Sequence, residues 1–194
     1  MEDENQAASV GRRIRAFLLD YALIFIYLVV LALVGSWLTY GPSGPTWSRL
    51  LAHPVRADLL AFLTSVLPVT LYFSVFEASA SSGTPGKRAV GLEVRDLADE
   101  RISLPRSLLR SGLKFLPWQM AHTAMFQIPG FPFTPEDPPA GSVALLLVAW
   151  LLVIGYLVGL TDLGGRRTLY DRISGTTVMA RRELAPLLES GEVK

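Results

Sequence analysis

A run of 25 residues, Ile14 to Leu38, is almost wholly apolar and carries only two charged side chains, Arg15 and Asp20. As a helix this run would be about 37 Å long, more than the roughly 30 Å hydrocarbon core of a bilayer. The composition agrees, with 51% hydrophobic and 18% charged residues in a chain of 194. The chain is therefore predicted to lie in a membrane. A cleaved signal peptide is the competing interpretation, but the apolar run is longer than the usual ~7 to 15 residues.

Three more segments are candidates for spans, so that the predicted spans cover residues 14–38, 59–79, 112–130 and 140–161. The second contains Pro68, which predicts a kink, and Asp58 is expected to cap its start. The third is ambiguous, because Lys114 and His122 lie within it and it could instead lie flat in the interface. The fourth carries Gly155 and Gly159, a spacing that allows close helix packing or dimerisation.

The distribution of basic residues decides in favour of four spans. With four spans the outer loops contain only Arg49 and Arg56, and the other 16 of the 18 Lys and Arg residues lie on one side. Such an excess is typical of the cytoplasmic side of a membrane. The sequence thus predicts an all-α membrane protein, a four-helix transmembrane bundle with a small cytoplasmic β-hairpin element and both termini in the cytoplasm. We expect residues 1–11 and 183–194 to be disordered and 12–182 to form the membrane domain.

The β element is predicted between the second and third spans. Residues 81–104 combine turn residues with an alternating apolar pattern at Val90, Leu92 and Val94, which indicates a hairpin whose second arm is 102–104. Residues 175–180 are also β-prone and could pair with this element.

Seven charged residues are predicted to gather at the inner ends of the spans. A carboxylate near the bilayer centre costs roughly 2.5 to 3.5 kcal/mol, so Asp20 needs a partner, water or a proton, and a cation from another helix is the expected partner. Antiparallel threading places the other charges near it. This cluster would be a cation or proton site, or an electrostatic clasp between helices, and it comprises Arg13, Asp20, Glu77, Arg110, Lys114, Asp162 and Asp171. Alternatively, only Asp20 is buried and the rest lie in water.

Other functional classes have little support in the sequence. Cysteine is absent and there are only two histidines, so no metal site, cofactor site or catalytic residue is predicted, and the chain is not expected to be an enzyme. The net charge of +1 gives no reason to expect a nucleic-acid partner. Lys87 and Arg88 are expected to contact anionic lipid head groups, and nucleotide binding at Gly83–Lys87 is not supported because the loop lacks the phosphate-loop spacing.

Three sequence blocks follow one another along the chain: GRRIRAFLLDYALI at 11–24, FEASASSGTPGKRAVGLEVRD at 76–96 and RRTLYDRISGTTVM at 166–179. Together they resemble the RDD family of prokaryotic membrane proteins. The resemblance places the family arginine on Arg13 and its two aspartates on Asp20 and Asp171. Tyr170 departs from the family pattern, in which a histidine is frequent at this position. The resemblance implies a membrane protein with a suggested role in ion or solute transport for some members, and many members have three spans by hydropathy.

Two functions follow as expectations. The first is cation or proton-coupled transport in the inner membrane by a homo-oligomer. In this function Asp20 binds and releases the cation or proton, and Arg13 tunes the pKa of Asp20. The second is a non-transporting adapter or assembly protein that docks a partner or anionic lipid.

Overall fold

The computed structural model describes residues 8–41, 44–132, 134–161 and 167–181 and is mainly helical. Three long helices and one broken helix form the bundle: α1 (Val10–Tyr40), α3 (Pro54–Ala61) continuing through a π-helical turn (Phe62–Val66) into α4 (Leu67–Ala78), α6 (Leu104–Phe126) and α7 (Ala140–Leu160). The short elements are α2 (Gly44–Leu51), α5 (Pro85–Ala89), β1 (Leu92–Asp96), α8 (Leu169–Ser174) and β2 (Thr176–Ala180).

Three of these helices are long and apolar enough to cross a membrane, within the described residues: Val10–Tyr40, Pro54–Ala78 and Ala140–Leu160. Helix α6 is not among them, and its first half carries Arg106, Arg110 and Lys114. It nevertheless packs against both α4 and α7, which makes it the central helix of the bundle. Of the predicted third span, 112–130, residues 112–126 form the later part of this longer helix, which ends at Phe126.

A buried stripe on α1 connects the bundle to the rest of the fold. Its buried residues are Arg13, Ala16, Asp20 and Ile24, which recur every three or four positions along one face of the helix. Ile24 contributes to the bundle core, formed with Val66, Val69, Phe73 and Phe115. The opposite side of α1 exposes large apolar side chains such as Phe25 and Leu33, as a helix facing lipid does.

The small β element differs from the predicted hairpin. Strand β1 pairs antiparallel with β2, from Leu92 opposite Ala180 to Asp96 opposite Thr176. The pairing with residues 175–180 is thus confirmed. Residues 102–104 are not a second arm, because only one isolated bridge, Arg95 to Arg101, forms there and α6 begins at Leu104. Two long helices, α6 and α7, separate β1 from β2 in the sequence. The pairing of the strands therefore depends on long-range packing.

We call α5, β1, α8 and β2 together the cap. Its core contains Leu92, Val94 and Val178 from one face of the sheet, with Ile102, and rests on Ala16 of α1. Ala8 is buried and its N–H donates to the carbonyl of Val178 at 3.2 Å. The described part of the segment predicted to be disordered, 8–11, is therefore ordered, and α1 begins within it at Val10. Residues 1–7 and 183–194 lie outside the described residues.

Two prolines in the bundle helices free a backbone carbonyl, and a tyrosine from a neighbouring helix satisfies each one. Proline has no N–H to donate to the carbonyl four residues earlier, which is Thr64 for Pro68 and Leu113 for Pro117. The hydroxyl of Tyr27 donates to the carbonyl of Thr64, and that of Tyr156 donates to the carbonyl of Leu113 at 2.7 Å. The irregularity predicted at Pro68 is the π-helical turn that precedes it.

The polar residue Asp58 does not cap the second span. The helix begins four residues earlier, at Pro54, and the carboxylate of Asp58 accepts hydrogen bonds from Gln119 at 2.9 Å and Thr123 at 2.8 Å. These bonds join α3 to α6 at the bundle end remote from the cap.

The two glycines of α7 have different roles: a Cβ on Gly159 would lie 2.8 Å from the Cα of Thr168, whereas Gly155 has open space.

Candidate functional site

Asp20 lies in the buried stripe of α1 and is bound by three neutral donors. One carboxylate oxygen accepts from the hydroxyl of Tyr72 and from the backbone N–H of Gly86, both at 2.8 Å. The other oxygen accepts from the hydroxyl of Thr84 at 2.5 Å. The side chain is 1% exposed. The sequence predicts a cation as the direct partner of Asp20. In the structure, two hydroxyl groups and the N-terminus of α5 bind this carboxylate instead.

The sequence of α5 explains how its N-terminus reaches Asp20. Thr84 is the N-cap, accepting from the N–H of Lys87, and Pro85 occupies the first turn, where its missing N–H costs nothing. The free N–H groups and partial positive charge of a helix N-terminus favour a carboxylate at this place. Gly86 allows the approach, because a Cβ there would lie 2.7 Å from the Cγ of Asp20.

Glu77, at the end of α4, is fully buried between two cations. Its carboxylate contacts the ammonium of Lys87 at 2.7 Å and the guanidinium of Arg110 at 2.5 Å. Lys87 was expected at lipid head groups, but it is buried and forms this internal ion pair instead. Arg88 is exposed beside the ring of Phe76, so its predicted lipid contact stays a prediction.

Arg110 joins Glu77 to Asp171 of the cap. Its guanidinium lies 2.8 Å from the carboxylate of Asp171 and also donates to the hydroxyl of Thr176 at 3.2 Å. The guanidinium of Arg110 further lies 5.3 Å from the centre of the Tyr170 ring. Arginine suits this position because its planar group can donate to two carboxylates at once.

Asp171 is fixed by local sequence as well as by Arg110. Thr168 and Asp171 form a capping box at the start of α8, and the hydroxyl of Thr168 donates to the carboxylate at 2.7 Å. Burial acts to raise the pKa of Asp171, but the charge of Arg110 and the Thr168 hydrogen bond outweigh it and lower that pKa. Burial raises the pKa of Tyr170 to about 12, so this residue stays protonated at neutral pH.

The remaining predicted members occupy different surroundings. Arg13 lies in the α1 stripe and donates to the carbonyl of Val178 at 2.9 Å, which joins α1 to β2. Lys114 lies over the ring of Phe73, with its ammonium 3.4 Å from the ring centre. Asp162 lies outside the described residues.

The structure therefore brings together six of the seven predicted charges and adds Lys87. We call these residues the polar cluster, and it comprises Arg13, Asp20, Glu77, Lys87, Arg110, Lys114 and Asp171. Sequence reasoning missed the neutral donors Tyr72, Thr84 and Gly86. The signal for two of them was present, because a threonine followed by proline is a helix-start pattern that leaves N–H groups free to bind an acid.

A cavity of about 400 Å³ lies beside the polar cluster, between α1 on one side and α6 and α7 on the other. Four cations and two carboxylates of the cluster line it, together with apolar side chains including Phe17, Leu157 and Leu160. In the part of the chain that the structure describes, no group of three His, Asp or Glu residues could hold a metal ion.

Comparison with known proteins identifies the family. The family model described as RDD family matches residues 7–175, which is most of the chain. Neither the curated proteins nor the solved structures gave a match. The matched range contains Arg13, Asp20 and Asp171, together with helices long and apolar enough to span a membrane. The chain belongs to the RDD family of membrane proteins.

Proposed function

We propose that this protein is a non-transporting membrane adapter that docks anionic lipid or a partner, and that its polar cluster is a clasp holding the cap on the bundle. One observation carries the proposal: every carboxylate of the cluster has fixed partners within the protein. Asp20 has three neutral donors, Glu77 has two cations, and Asp171 has Arg110 and Thr168.

The balance of charge supports a clasp over a cation site. A site that binds and releases a cation needs carboxylate oxygens facing a path that the ion can take. The described cluster instead contains four cations, Arg13, Lys87, Arg110 and Lys114, against three carboxylates. A buried carboxylate that already accepts several hydrogen bonds gains little free energy from binding a cation, because it has to give up those hydrogen bonds to do so.

Two measurements on the same protein test the clasp. Purified protein in proteoliposomes with an imposed pH gradient should show no dissipation above empty vesicles when Na⁺, K⁺ or Ca²⁺ is added. Asp20→Asn should lower the unfolding temperature in detergent, because its amide cannot accept from all three donors. Gradient dissipation by the unchanged protein, abolished in Asp20→Asn at an unchanged unfolding temperature, would overturn the proposal.

The second candidate function is cation or proton-coupled transport. It is favoured by the presence of Asp20 and Asp171 among the residues that line the cavity. In this function Asp20 would bind and release the cation or proton, Arg13 would tune its affinity, and Asp171 would hold the cap. The gradient measurement separates the two functions, since only this one requires flux.

Four spans, with both termini in the cytoplasm and the protein in the inner membrane, form part of the proposal. The support is that the polar cluster collects the start of α1, the end of α4, the start of α6 and the element after α7. The chain can return to one face from α7 only if α6 crosses the same thickness. At 23 residues α6 is about 35 Å long, enough for this.

Because the chain has no cysteine, single introduced cysteines report the topology directly. Leu97→Cys lies in the cap loop and Glu136→Cys lies between α6 and α7. Four spans predict that an impermeant maleimide labels Glu136→Cys in intact cells and Leu97→Cys only after permeabilisation. Labelling of both from the same side would contradict a spanning α6.

A homo-oligomer is also part of the proposal. The support is the exposed apolar face of α7, where Leu147, Leu151 and Ile154 are exposed and Gly155 leaves room for another helix. Molar mass measured by light scattering in detergent should exceed one chain. Gly155→Leu should reduce it to one chain, whereas a monomeric mass for the unchanged protein would contradict this part.

A further inference from the structure

The cavity beside the polar cluster has two chemically different ends. Its polar end is formed by Arg13, Lys114 and the other charged members of the cluster, and its apolar end by side chains of α1 and α7. A volume of about 400 Å³ is large enough for a head group with part of a chain, since small-molecule sites begin at roughly 300 Å³. An occupant that matches both ends is an amphiphile with a charged head.

Lys114 gives the polar end its sign. Its ammonium contacts the faces of Phe73 and Phe115 at 3.4 and 5.1 Å to the ring centres. Among the residues that the structure describes, no carboxylate lies within ion-pair distance of the Lys114 ammonium. The carboxylate of Glu77 forms its ion pairs with Lys87 and Arg110. A partly buried cation without a counter-ion favours an anion beside it. The head group therefore carries negative charge.

The depth of Lys114 suits a lipid head group. It lies one helical turn, about 6 Å, further along α6 than Arg110. Arg110 itself pairs with Glu77 in the last turn of α4, at the end of the second span. The polar end of the cavity is thus close to the membrane surface, where phosphates of the adjoining leaflet lie.

The apolar rim shows where the rest of the occupant goes. Phe17 and Leu18 of α1 are 44% and 60% exposed, and Leu157 of α7 is 59% exposed. These residues lie on spans, so in a bilayer they face acyl chains. Helix α1 is held mainly through α5 of the cap, which leaves a side opening towards α7. A soluble anion has no apolar part to bury in this opening, whereas the acyl chain of a lipid would fill it.

We propose that this cavity binds one anionic phospholipid, with its phosphate on Lys114 and Arg13 and an acyl chain leaving between α1 and α7. The assignment rests on the proposed adapter function and gives its lipid docking a defined site. It differs from surface attraction to anionic lipid, because the site is inside the bundle and has fixed shape.

Native mass spectrometry with added phosphatidylglycerol tests the site. Delipidated protein should retain one phosphatidylglycerol molecule with at least tenfold preference over phosphatidylcholine. Lys114→Met, which keeps the chain length and removes the charge, should lower this affinity at least tenfold. Arg101→Met removes an exposed cation outside the cavity and should change this affinity less than twofold. Equal retention of the two lipids, or equal losses in the two variants, would overturn the assignment.

A second variant keeps the test decisive if Lys114→Met does not fold. Leu157→Trp fills the apolar rim without touching the charges, and it should also reduce retention of phosphatidylglycerol at least tenfold. Full retention in this variant would contradict the lateral exit of the acyl chain. Glycerol phosphate at millimolar concentration should not displace the lipid, and efficient displacement would overturn a lipid in favour of a free phosphate.

The outcome is separable from that of the proposed function. Gradient dissipation in proteoliposomes with lipid retention intact would overturn the adapter and support the cavity assignment. Absence of both flux and phosphatidylglycerol selectivity would overturn the cavity assignment while the clasp stands.

Discussion

The guanidinium group of Arg110 lies 2.8 Å from the carboxylate of Asp171, although 61 positions separate the two residues in the chain. Arg110 is on the central helix of the bundle and Asp171 is in the cap, so this contact and the Arg110 to Glu77 contact join three parts of the fold. Both acids are buried. Replacing the arginine therefore affects more than one interaction.

We expect Arg110→Gln to destabilise the protein by about 3 to 5 kcal/mol, because it leaves two buried carboxylates without their shared cation. Arg106→Gln is the matched control on the same helix. Arg106 pairs with Asp96 on the exposed surface, where solvent screens the pair, so its loss should cost far less than the loss of Arg110. Denaturant unfolding in detergent measures both, and equal costs would contradict the clasp.

Removing Glu77 and Lys87 singly and together tests whether they stabilise each other. Glu77→Gln leaves the buried ammonium of Lys87 without its carboxylate, and Lys87→Met removes one of two cations from Glu77. The double variant should be less destabilised than the sum of the single variants by about 0.5 to 3 kcal/mol, as residues in one ion network are coupled. Additive costs in the double-mutant cycle would show that the pair is not coupled.

Gly86→Ala should destabilise the cap because its Cβ would lie 2.7 Å from the Cγ of Asp20 and push α5 away from α1. Gly112→Ala is the control, since a Cβ there meets nothing within 4 Å and alanine favours a helix. We expect a lower unfolding temperature for Gly86→Ala and an unchanged or higher one for Gly112→Ala. A Gly86→Ala protein as stable as the control would contradict the close contact.

The tyrosine that satisfies the carbonyl of Leu113 can be tested by restoring the missing N–H. Tyr156→Phe should cost about 1 to 3 kcal/mol, because it leaves a partly buried carbonyl without a donor. In a Pro117→Ala background the backbone N–H of residue 117 can donate to Leu113, so the same change should cost clearly less. An equal cost in both backgrounds would show that Tyr156 contributes only packing.

Acid should weaken the cap through Asp171. Its pKa is lowered in the folded protein from an ordinary 3.8, so the unfolded chain takes up the proton first as the pH falls. The stability contributed by Asp171 is complete above pH 3.8 and is lost below it, as the pH falls through the lower folded pKa. Unfolding measured from pH 7 down to about pH 2 should show this loss, and Asp171→Asn should lack that part of it.

Much of the architecture could be predicted, because a helix can cross a membrane only if its run of apolar residues is long enough. The runs that contain Ile14–Leu38 and 140–160 needed only their length and lack of charge. The gathering of Arg110, Glu77 and Asp171 also followed, since antiparallel spans bring alternate ends together. The ends of helices were less predictable, since α1 extends back to Val10, where polar residues are covered by the cap.

The sequence alone determined that this chain enters a membrane, which family it resembles, and that Asp20 needs a partner, because each depends on composition or on local order. Only the tertiary structure decided that the partners of Asp20 are Tyr72, Thr84 and Gly86, that Lys87 turns inward to Glu77, and that β1 pairs with β2 rather than with residues 102–104. Hydrogen bonds and ion pairs act over a few ångströms. Which donor reaches an acid therefore depends on how distant segments pack.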